Sequence, residues 1–310
     1  MPTKHVDEEK KNAQKHTFNL IIMSSLTLLG THYLLDDRVN LVAEFLAEHL
    51  TQHNIEIEAK IGRFEFTNNK PYFQHISWLN HSVTPFRFNS SLNHLTFTSL
   101  IDSCRKQKLN CNFAQTQDTI YRTKLKASKL RQTCDQEGNI VATVLKTRVK
   151  DLNILVNPET GLGFRLSANI EEPLDSIPEN SKLVYMRNKS RHEFEFQYLR
   201  LDLTEVQANQ HRSFEVELEI SDLEFVRKHV EGYVNGSDTS SLLGVANKLW
   251  QNVLAVAFHR PRAPIPEAEE PQEFKTQREN KYAQHWGGVK PIIGDYLYEI
   301  AGEAKDEFSF

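Results

Sequence analysis

The sequence predicts an α+β chain in which a run of antiparallel strands closes into a barrel or sandwich with helices beside it. Three observations carry this. From about residue 117 to 220, short segments of alternating character follow one another, separated by turn residues. An isolated segment of the same kind lies far upstream at 53–66. Helical spacing of apolar residues occurs on either side of these segments but not within them.

Taken in order, residues 1–36 form a variable N-terminal extension. Residues 1–17 are charged and predicted disordered. Phe18 to Leu35 is fairly apolar, but Asn19, Ser24, Ser25, Thr27, Thr31 and His32 interrupt it, and a membrane span needs about 20 predominantly apolar residues. No membrane association is expected. Residues 37–258 form the main domain. Val39, Val42, Phe45, Leu46 and Leu50 predict a helix over 37–53 behind Asp36-Asp37. Residues 67–92 read as loop, and Phe97, Leu100, Ile101 and Cys104 predict a helix near 93–108. Strands are predicted at 117–126, 128–134, 139–147, 151–157, 163–171, 183–197, 198–204 and 212–220. Ser221-Asp222 caps a helix carrying Leu223, Val226 and Val230, and a second helix runs from Leu242 to Leu254. Residues 259–310 read as a Pro/Glu-rich disordered tail.

Composition limits the function classes. The chain of 310 residues has 37 basic and 41 acidic side chains, a net charge of −4, so a broadly basic nucleic-acid coat is excluded. Charge is uneven, with eight Lys/Arg against Asp135 and Glu137 over residues 121–150, and six basic against ten acidic groups from 261 to 310. A local basic stretch in an acidic protein suits a compact anion. Three cysteines argue against a disulfide framework, and the 13 histidines form no zinc ladder. No G-x-x-x-x-G-K-[ST] is present, which disfavours a P-loop enzyme.

Parity within the strands carries the chemistry. Successive side chains point to opposite faces. One face of residues 55–61 holds Glu56, Glu58 and Lys60, and the other holds Ile55, Ile57, Ala59 and Ile61. One face of 214–220 is Glu215, Glu217 and Glu219. Arg187, Lys189 and Arg191 share a face, as do Arg165, Ser167, Asn169 and Glu171. Like charges crowded on one solvent face would destabilise a sheet. In a closed barrel the acidic and basic sets would instead face each other across a lumen. Carboxylates there suit Mg²⁺ or Mn²⁺, and Lys and Arg suit the oxygens of a polyphosphate.

These residues resemble the triphosphate tunnel metalloenzymes, and within them the fungal-type, metal-dependent RNA 5′-triphosphatases, the beta subunit of the mRNA capping enzyme. The resemblance rests on Glu56-x-Glu58-x-Lys60, Ser128-Lys129-Leu130-Arg131, the stretch from Phe164 to Pro173, Arg187-x-Lys189-x-Arg191 followed by Leu201-Asp202-Leu203-Thr204, and Glu215-x-Glu217-x-Glu219. It spans roughly residues 37–257.

The resemblance implies a closed eight-stranded antiparallel β-barrel, the triphosphate tunnel, with flanking helices. It implies removal of the γ-phosphate from nascent mRNA, leaving a 5′-diphosphate, as the first step of capping in the nucleus. It implies Glu56, Glu58 and Glu219 as ligands of Mg²⁺, with Mn²⁺ as the other ion. It implies Arg131, Lys189 and Arg191 on the γ-phosphate and Glu171 on the attacking water. Glu215, Glu217, Asp202 and Thr204 would orient the cations, with Lys60, Lys146, Arg148, Arg165 and Arg187 as further phosphate-binding candidates. The partners implied are 5′-triphosphate RNA, the guanylyltransferase of the capping enzyme's alpha subunit, and a second copy of the chain. Tyr282-Ala283-Gln284-His285-Trp286 resembles the peptide by which yeast relatives dock that guanylyltransferase, through Tyr282 and Trp286. The chain departs from the family pattern in two places. Ala142 and Thr143 stand where an acidic residue is expected, and Gly163 stands where an Asp is expected. The competing readings are a thiamine or inorganic triphosphatase of the same fold and a non-catalytic phosphate-binding barrel.

Overall fold

In a computed structural model the described residues are 27–29, 38–67, 76–123, 128–179 and 181–261. They all belong to a unit spanning Met1–Pro261. Most of the Phe18–Leu35 segment, Lys124, Lys126 and the docking residues Tyr282 and Trp286 lie outside the described residues. Among the described residues no helix is long and apolar enough to cross a membrane.

The elements in chain order are α1 (Val39–His49), β1 (Ile55–Phe66), β2 (Ser77–Leu79), β3 (Phe86–Asn89), α2 (His94–Lys106), β4 (Cys111–Tyr121), β5 (Ser128–Cys134), β6 (Ile140–Asn157), β7 (Leu162–Pro173), β8 (Leu183–Phe196), β9 (Leu199–Ala208), β10 (His211–Ile220), α3 (Leu223–Val234) and α4 (Thr239–Ala257). Eight of these strands form a ring in the order β1–β10–β9–β8–β4–β5–β6–β7, and β7 returns to β1. Every pairing is antiparallel. Closure removes the open edges that an antiparallel sheet otherwise presents.

The apolar parity of the strands faces outward, onto the helices. Ile55, Ile57, Ala59 and Ile61 of β1, Phe164 and Leu166 of β7, and Val216 and Leu218 of β10 join one core with α1, α3 and α4. The α4 helix is buried almost all round, and its Trp250 meets Phe164 edge-on at 5.6 Å. Two hydrogen bonds satisfy polar groups inside this core. Asn252 donates to the Lys248 carbonyl at 2.7 Å, and the Tyr198 hydroxyl donates to the Val245 carbonyl at 2.7 Å. Asp222 caps α3 by accepting from the Phe225 amide at 2.9 Å. With the apolar face turned out against helices, the polar face is left to line the lumen.

Three expectations are corrected. The segments 139–147 and 151–157 are one strand of 18 residues, β6, whose pairing to β7 shifts register between Arg148 and Lys150. The irregularity flips parity midway, which reads in the sequence as a break. The predicted loop 67–92 contains β2 and β3. These short strands lengthen the wall at one end of the ring. β2 pairs with β6 beyond the start of β5, and β3 pairs with β1 beyond the start of β10. The strand placed at 117–126 starts six residues earlier, at Cys111, and ends at Tyr121.

Along the inner face of β1 the character changes with position: Glu56, Glu58 and Lys60 give way to Gly62, Phe64 and Phe66. Phe64, Leu79, Phe86 and Leu155 form a second, smaller apolar cluster there. Gly62 is required at the transition, because a Cβ on it would lie 2.2 Å from the Asn89 carbonyl oxygen. Gly163, where the family pattern has an acid, is required too. A Cβ there would lie 2.3 Å from the Ile154 carbonyl oxygen and 2.6 Å from the Phe64 ring.

Candidate active site

The lumen brings together residues from all eight barrel strands. β1 and β10 are neighbours in register, with Glu58 opposite Glu219 and Lys60 opposite Glu217. Lys60 donates to Glu217 and lies 3.1 Å from Glu58. Lys146 from β6 donates to Glu56 and reaches Glu171 at 3.2 Å and Glu58 at 3.3 Å. Asn169 from β7 donates to both Glu56 and Glu58, at 3.1 and 3.0 Å. Glu58 is only 4 % exposed.

The carboxylates divide by electrostatics. Burial would raise Glu58, but Lys60 and Lys146 outweigh it and hold its carboxyl below the ordinary value. Glu217 is held well below by Lys60 and Arg191 against the same burial. Glu56 goes the other way: burial and the Glu58 charge push it up to about 7 despite Lys146. Glu219 is pushed up to about 8 by burial, with Glu56, Asp202 and Glu58 adding to the effect and Arg200 opposing it. Two buried carboxylates held at this disadvantage, beside a third, are an all-oxygen donor set whose charge a hard divalent cation would relieve. The residues therefore fit such an ion. Among the described residues, however, no three acidic, imidazole or thiol groups already converge as a cation cage. Lys146 lies on Glu56 and Glu58, and Arg200 reaches Glu219 at 2.6 Å.

The basic wall comes from β5 and β8. Arg131 approaches Glu171 at 3.5 Å, and its Nε is buried with no hydrogen-bond partner among the described residues. Such a donor awaits an acceptor. Arg191 donates from Nη1 to Asp202 at 2.8 Å and from Nε to Thr204 at 3.0 Å, and lies 3.8 Å from Glu217. Lys189 is buried, and burial lowers it to about 8, with Arg191 and Arg131 adding to the effect and Asp118 opposing it. Glu215 is raised by burial and by Glu217, against Lys60 and Arg187. At the end of the ring where β2 and β3 attach, Arg165 donates to Asn153 at 2.8 Å and lies 3.6 Å from Asp151. Arg148 is more open and pairs with Asp151 at 3.1 Å.

Sequence reasoning missed Asp118, which is 0 % exposed. It accepts from Arg187 Nε at 3.0 Å and from Thr133 at 2.8 Å, and pairs with Lys189 at 3.0 Å. It also missed Arg200, which bridges Asp202 at 2.9 Å and Glu219 at 2.6 Å. Asp118 is a lone charge whose partners come from other strands, whereas Arg200 alternates with Asp202 and Thr204 on one strand and its pattern was open to reading. Asp151 supplies from β6 the carboxylate beside Arg165 that Gly163 cannot carry.

A closed ring of strands with buried or half-buried carboxylates on one side and buried or half-buried cations on the other can hold a linear polyanion. Comparison with known proteins agrees. A search of curated proteins by sequence returns no match. Among solved structures, the chain resembles the Pct1 RNA triphosphatase of S. pombe in complex with the Spt5 CTD. The TM-score is 0.67 at 21 % identity, over 74 % of this chain and 96 % of that one. A second Pct1 structure gives a TM-score of 0.65 at 22 % identity, over 74 % of this chain and 95 % of that one. The shared fold is thus the closed eight-stranded tunnel. The family described as mRNA capping enzyme, beta chain, matches residues 34–257. The chain belongs to that family, and it is an RNA 5′-triphosphatase of mRNA capping.

Proposed function

We propose that the lumen removes the γ-phosphate of nascent RNA with Glu56, Glu58 and Glu219 holding a divalent cation, Mg²⁺ or Mn²⁺. The observation that carries this reading is the β1–β10 register, which sets Glu58 against Glu219 and leaves the buried Lys189 and the half-buried Arg131 and Arg191 on the opposite wall. A cation bound there neutralises charge on the phosphate oxygens. The chain's own groups do the rest. Arg131, Lys189 and Arg191 hold the γ-phosphate, and the unpartnered Nε of Arg131 is free to donate to it. Glu171, beside Arg131 and Lys146, orients a water for in-line attack. The water oxygen bonds to the γ-phosphorus as the bond from that phosphorus to the β–γ bridging oxygen breaks. The products are inorganic phosphate and RNA with a 5′-diphosphate.

Glu217, Asp202 and Thr204 orient this apparatus through Lys60 and Arg191, and Glu215 adds negative charge beside Lys60 and Arg187. Lys146 and Arg187 are bound to tunnel carboxylates, which supports a positioning role as well as contact with phosphate. A nascent transcript as substrate supports a nuclear location. A guanylyltransferase that consumes the 5′-diphosphate is the partner its product fits, and the Pct1 complex with the Spt5 CTD fits the capping context.

The test is phosphate release from γ-labelled triphosphate-ended RNA with Mg²⁺, with Mn²⁺ and with chelator, beside Glu58→Ala. Metal-dependent release lost in the variant is expected. Release that survives chelation would overturn the metal assignment. Hydrolysis of thiamine triphosphate with RNA left intact would move the substrate.

A further inference from the structure

Charge is ordered along the tunnel as well as around it. The inner face of β1 reads Glu56, Glu58 and then Lys60. β7 and β8 run opposite to β1, and their inner faces read in the reverse sequence. Arg165 precedes Glu171 on β7, and Arg187, Lys189 and Arg191 precede Glu193 on β8. The carboxylates of these strands therefore gather toward one mouth of the ring and the cations toward the other. At the acidic end Lys146 draws Glu56 and Glu171 together, and Arg200 is bound to Asp202 and Glu219. The basic end is the one where β2 and β3 attach. Its carboxylates are Asp151, bound to Arg148 and Arg165, and Glu215, beside Lys60 and Arg187.

Lys129 lies at the start of β5, toward the basic end, because β2 continues along β6 beyond that start. It shares the inner face with Arg131 and pairs in register with Lys146, one cation directly opposite another. Burial lowers its ammonium, and Arg148, Arg187, Lys60 and Lys146 lower it further, so its charge sits among four others. Those four are bound to carboxylates: Arg148 to Asp151, Arg187 to Asp118, Lys60 to Glu217 and Lys146 to Glu56. Lys129 is not. Among the described residues it forms no ion pair, and its side chain is open to solvent. A cation held unpaired among like charges costs stability, and a bound anion removes that cost. Arg131, two residues along the same face, carries the buried Nε that also has no partner. Residues so placed are about 7 Å apart along a strand, which leaves room for a phosphate between them.

We propose that the RNA enters and stays at the basic mouth, and that Lys129 binds its α-phosphate, the phosphate that remains on the RNA after hydrolysis. The proposal rests on the reading above in which Arg131 holds the γ-phosphate. A chain with phosphates beyond the third is attracted by Lys129, Arg148 and Arg187 and repelled at the end that gathers Glu56, Glu171 and Glu219. The α-phosphate is common to the substrate and to the 5′-diphosphate product, so Lys129 holds both alike. A contact of that kind lowers KM without raising kcat. Arg131, Lys189 and Arg191 instead hold the group that departs as inorganic phosphate.

The experiment uses the full chain, unmodified and as Lys129→Gln and Lys129→Arg. Triphosphate-ended RNA is the substrate, and diphosphate-ended RNA or inorganic phosphate is the inhibitor. Lys129→Gln is expected to raise KM for the substrate and the inhibition constant of diphosphate-ended RNA together, each about tenfold. Its kcat should stay within about twofold, and inhibition by inorganic phosphate should not change. Lys129→Arg, which keeps the charge, should restore both constants. The melting midpoint of Lys129→Gln should not fall, because a repulsion has been removed. A fall in the midpoint, or a loss of kcat with KM unchanged, would overturn the assignment. Diphosphate-ended RNA with a photoreactive second base, bound with Mg²⁺, is expected to cross-link beside Lys129 and Arg148. Cross-links beside Glu193 or Arg200 would overturn the direction of entry. An unmodified protein that releases no phosphate from RNA would overturn the reading of the tunnel itself, before any variant is compared.

Discussion

Glu58 and Glu219 face each other directly across the β1–β10 ladder, two like charges at a position where a sheet ordinarily pays a stability cost. Replacing either by glutamine removes that repulsion and keeps the shape. Glu58→Gln and Glu219→Gln are therefore expected to lower turnover of triphosphate-ended RNA by about a hundredfold or more. The melting midpoint is expected to rise in Glu219→Gln, whose carboxyl is pushed up by burial and its acidic neighbours, and to fall in Glu58→Gln, which takes a counter-charge from Lys60 and Lys146. Phosphate-release kinetics beside a thermal melt check both halves. A variant that is active, or one that is inactive because it has unfolded, contradicts the assignment or the barrel argument respectively.

Asp118 is the buried counter-charge for Arg187 and Lys189. Burial alone would raise its carboxyl, but Lys189 and Arg187 outweigh that and hold it below the ordinary value. Its contribution to stability is accordingly present above the unfolded value near 3.8 and is lost as pH falls through the lower folded value. Asp118→Ala leaves two cations without their partner, and a loss of about 3–5 kcal/mol is expected. Denaturant unfolding at pH 7 measures it.

Lys189 gives a pH dependence of opposite kind. Burial lowers its ammonium from 10.5 to about 8, with Asp118 opposing and Arg191 adding to the shift. Its charge opposes folding below pH 8, and that cost fades as pH rises from 8 toward 10.5. Phosphate binding runs the other way, because only the charged form attracts phosphate. KM for triphosphate-ended RNA is expected to rise as pH passes about 8 in the unmodified protein. In Lys189→Arg, whose guanidinium stays charged, this step in the KM profile should be absent.

Gly62 marks where β3 crosses close to β1. A methyl group there would meet the Asn89 carbonyl oxygen at 2.2 Å and the Phe88 ring at 2.8 Å. Gly62→Ala must therefore displace β3, with an expected loss of about 1–3 kcal/mol. Its thermal melt should fall, whereas Gly244→Ala, which meets nothing within 4 Å, should not lower it.

The sequence made the two walls of the tunnel legible because β1, β8 and β10 keep strict alternation over their charged stretches, and parity survives folding. It did not make β2 and β3 legible, since three- and four-residue strands are too short to show a period. β6 was split by its own irregularity at Arg148 to Lys150. Asp118 escaped notice for a different reason: a single acid in a strand of Gln and Thr carries no local pattern. Its importance lies in Arg187 and Lys189, about 70 residues away.

Lys60 and Glu217 meet although 157 residues separate them in the chain. Their ladder is the seam at which the first barrel strand finds the last, so no fragment ending before β10 can bring the two walls of charge together. Until the ring shuts, Glu56, Glu58 and Lys60 belong to an open edge strand, and the glutamates of β10 repel their counterparts on β1. Non-local closure of this kind is slow and comes late in folding. The last long-range contact and the birth of the reactive centre are thus one event. A nascent or partly unfolded chain is chemically silent, and a protein pool's activity counts its closed rings.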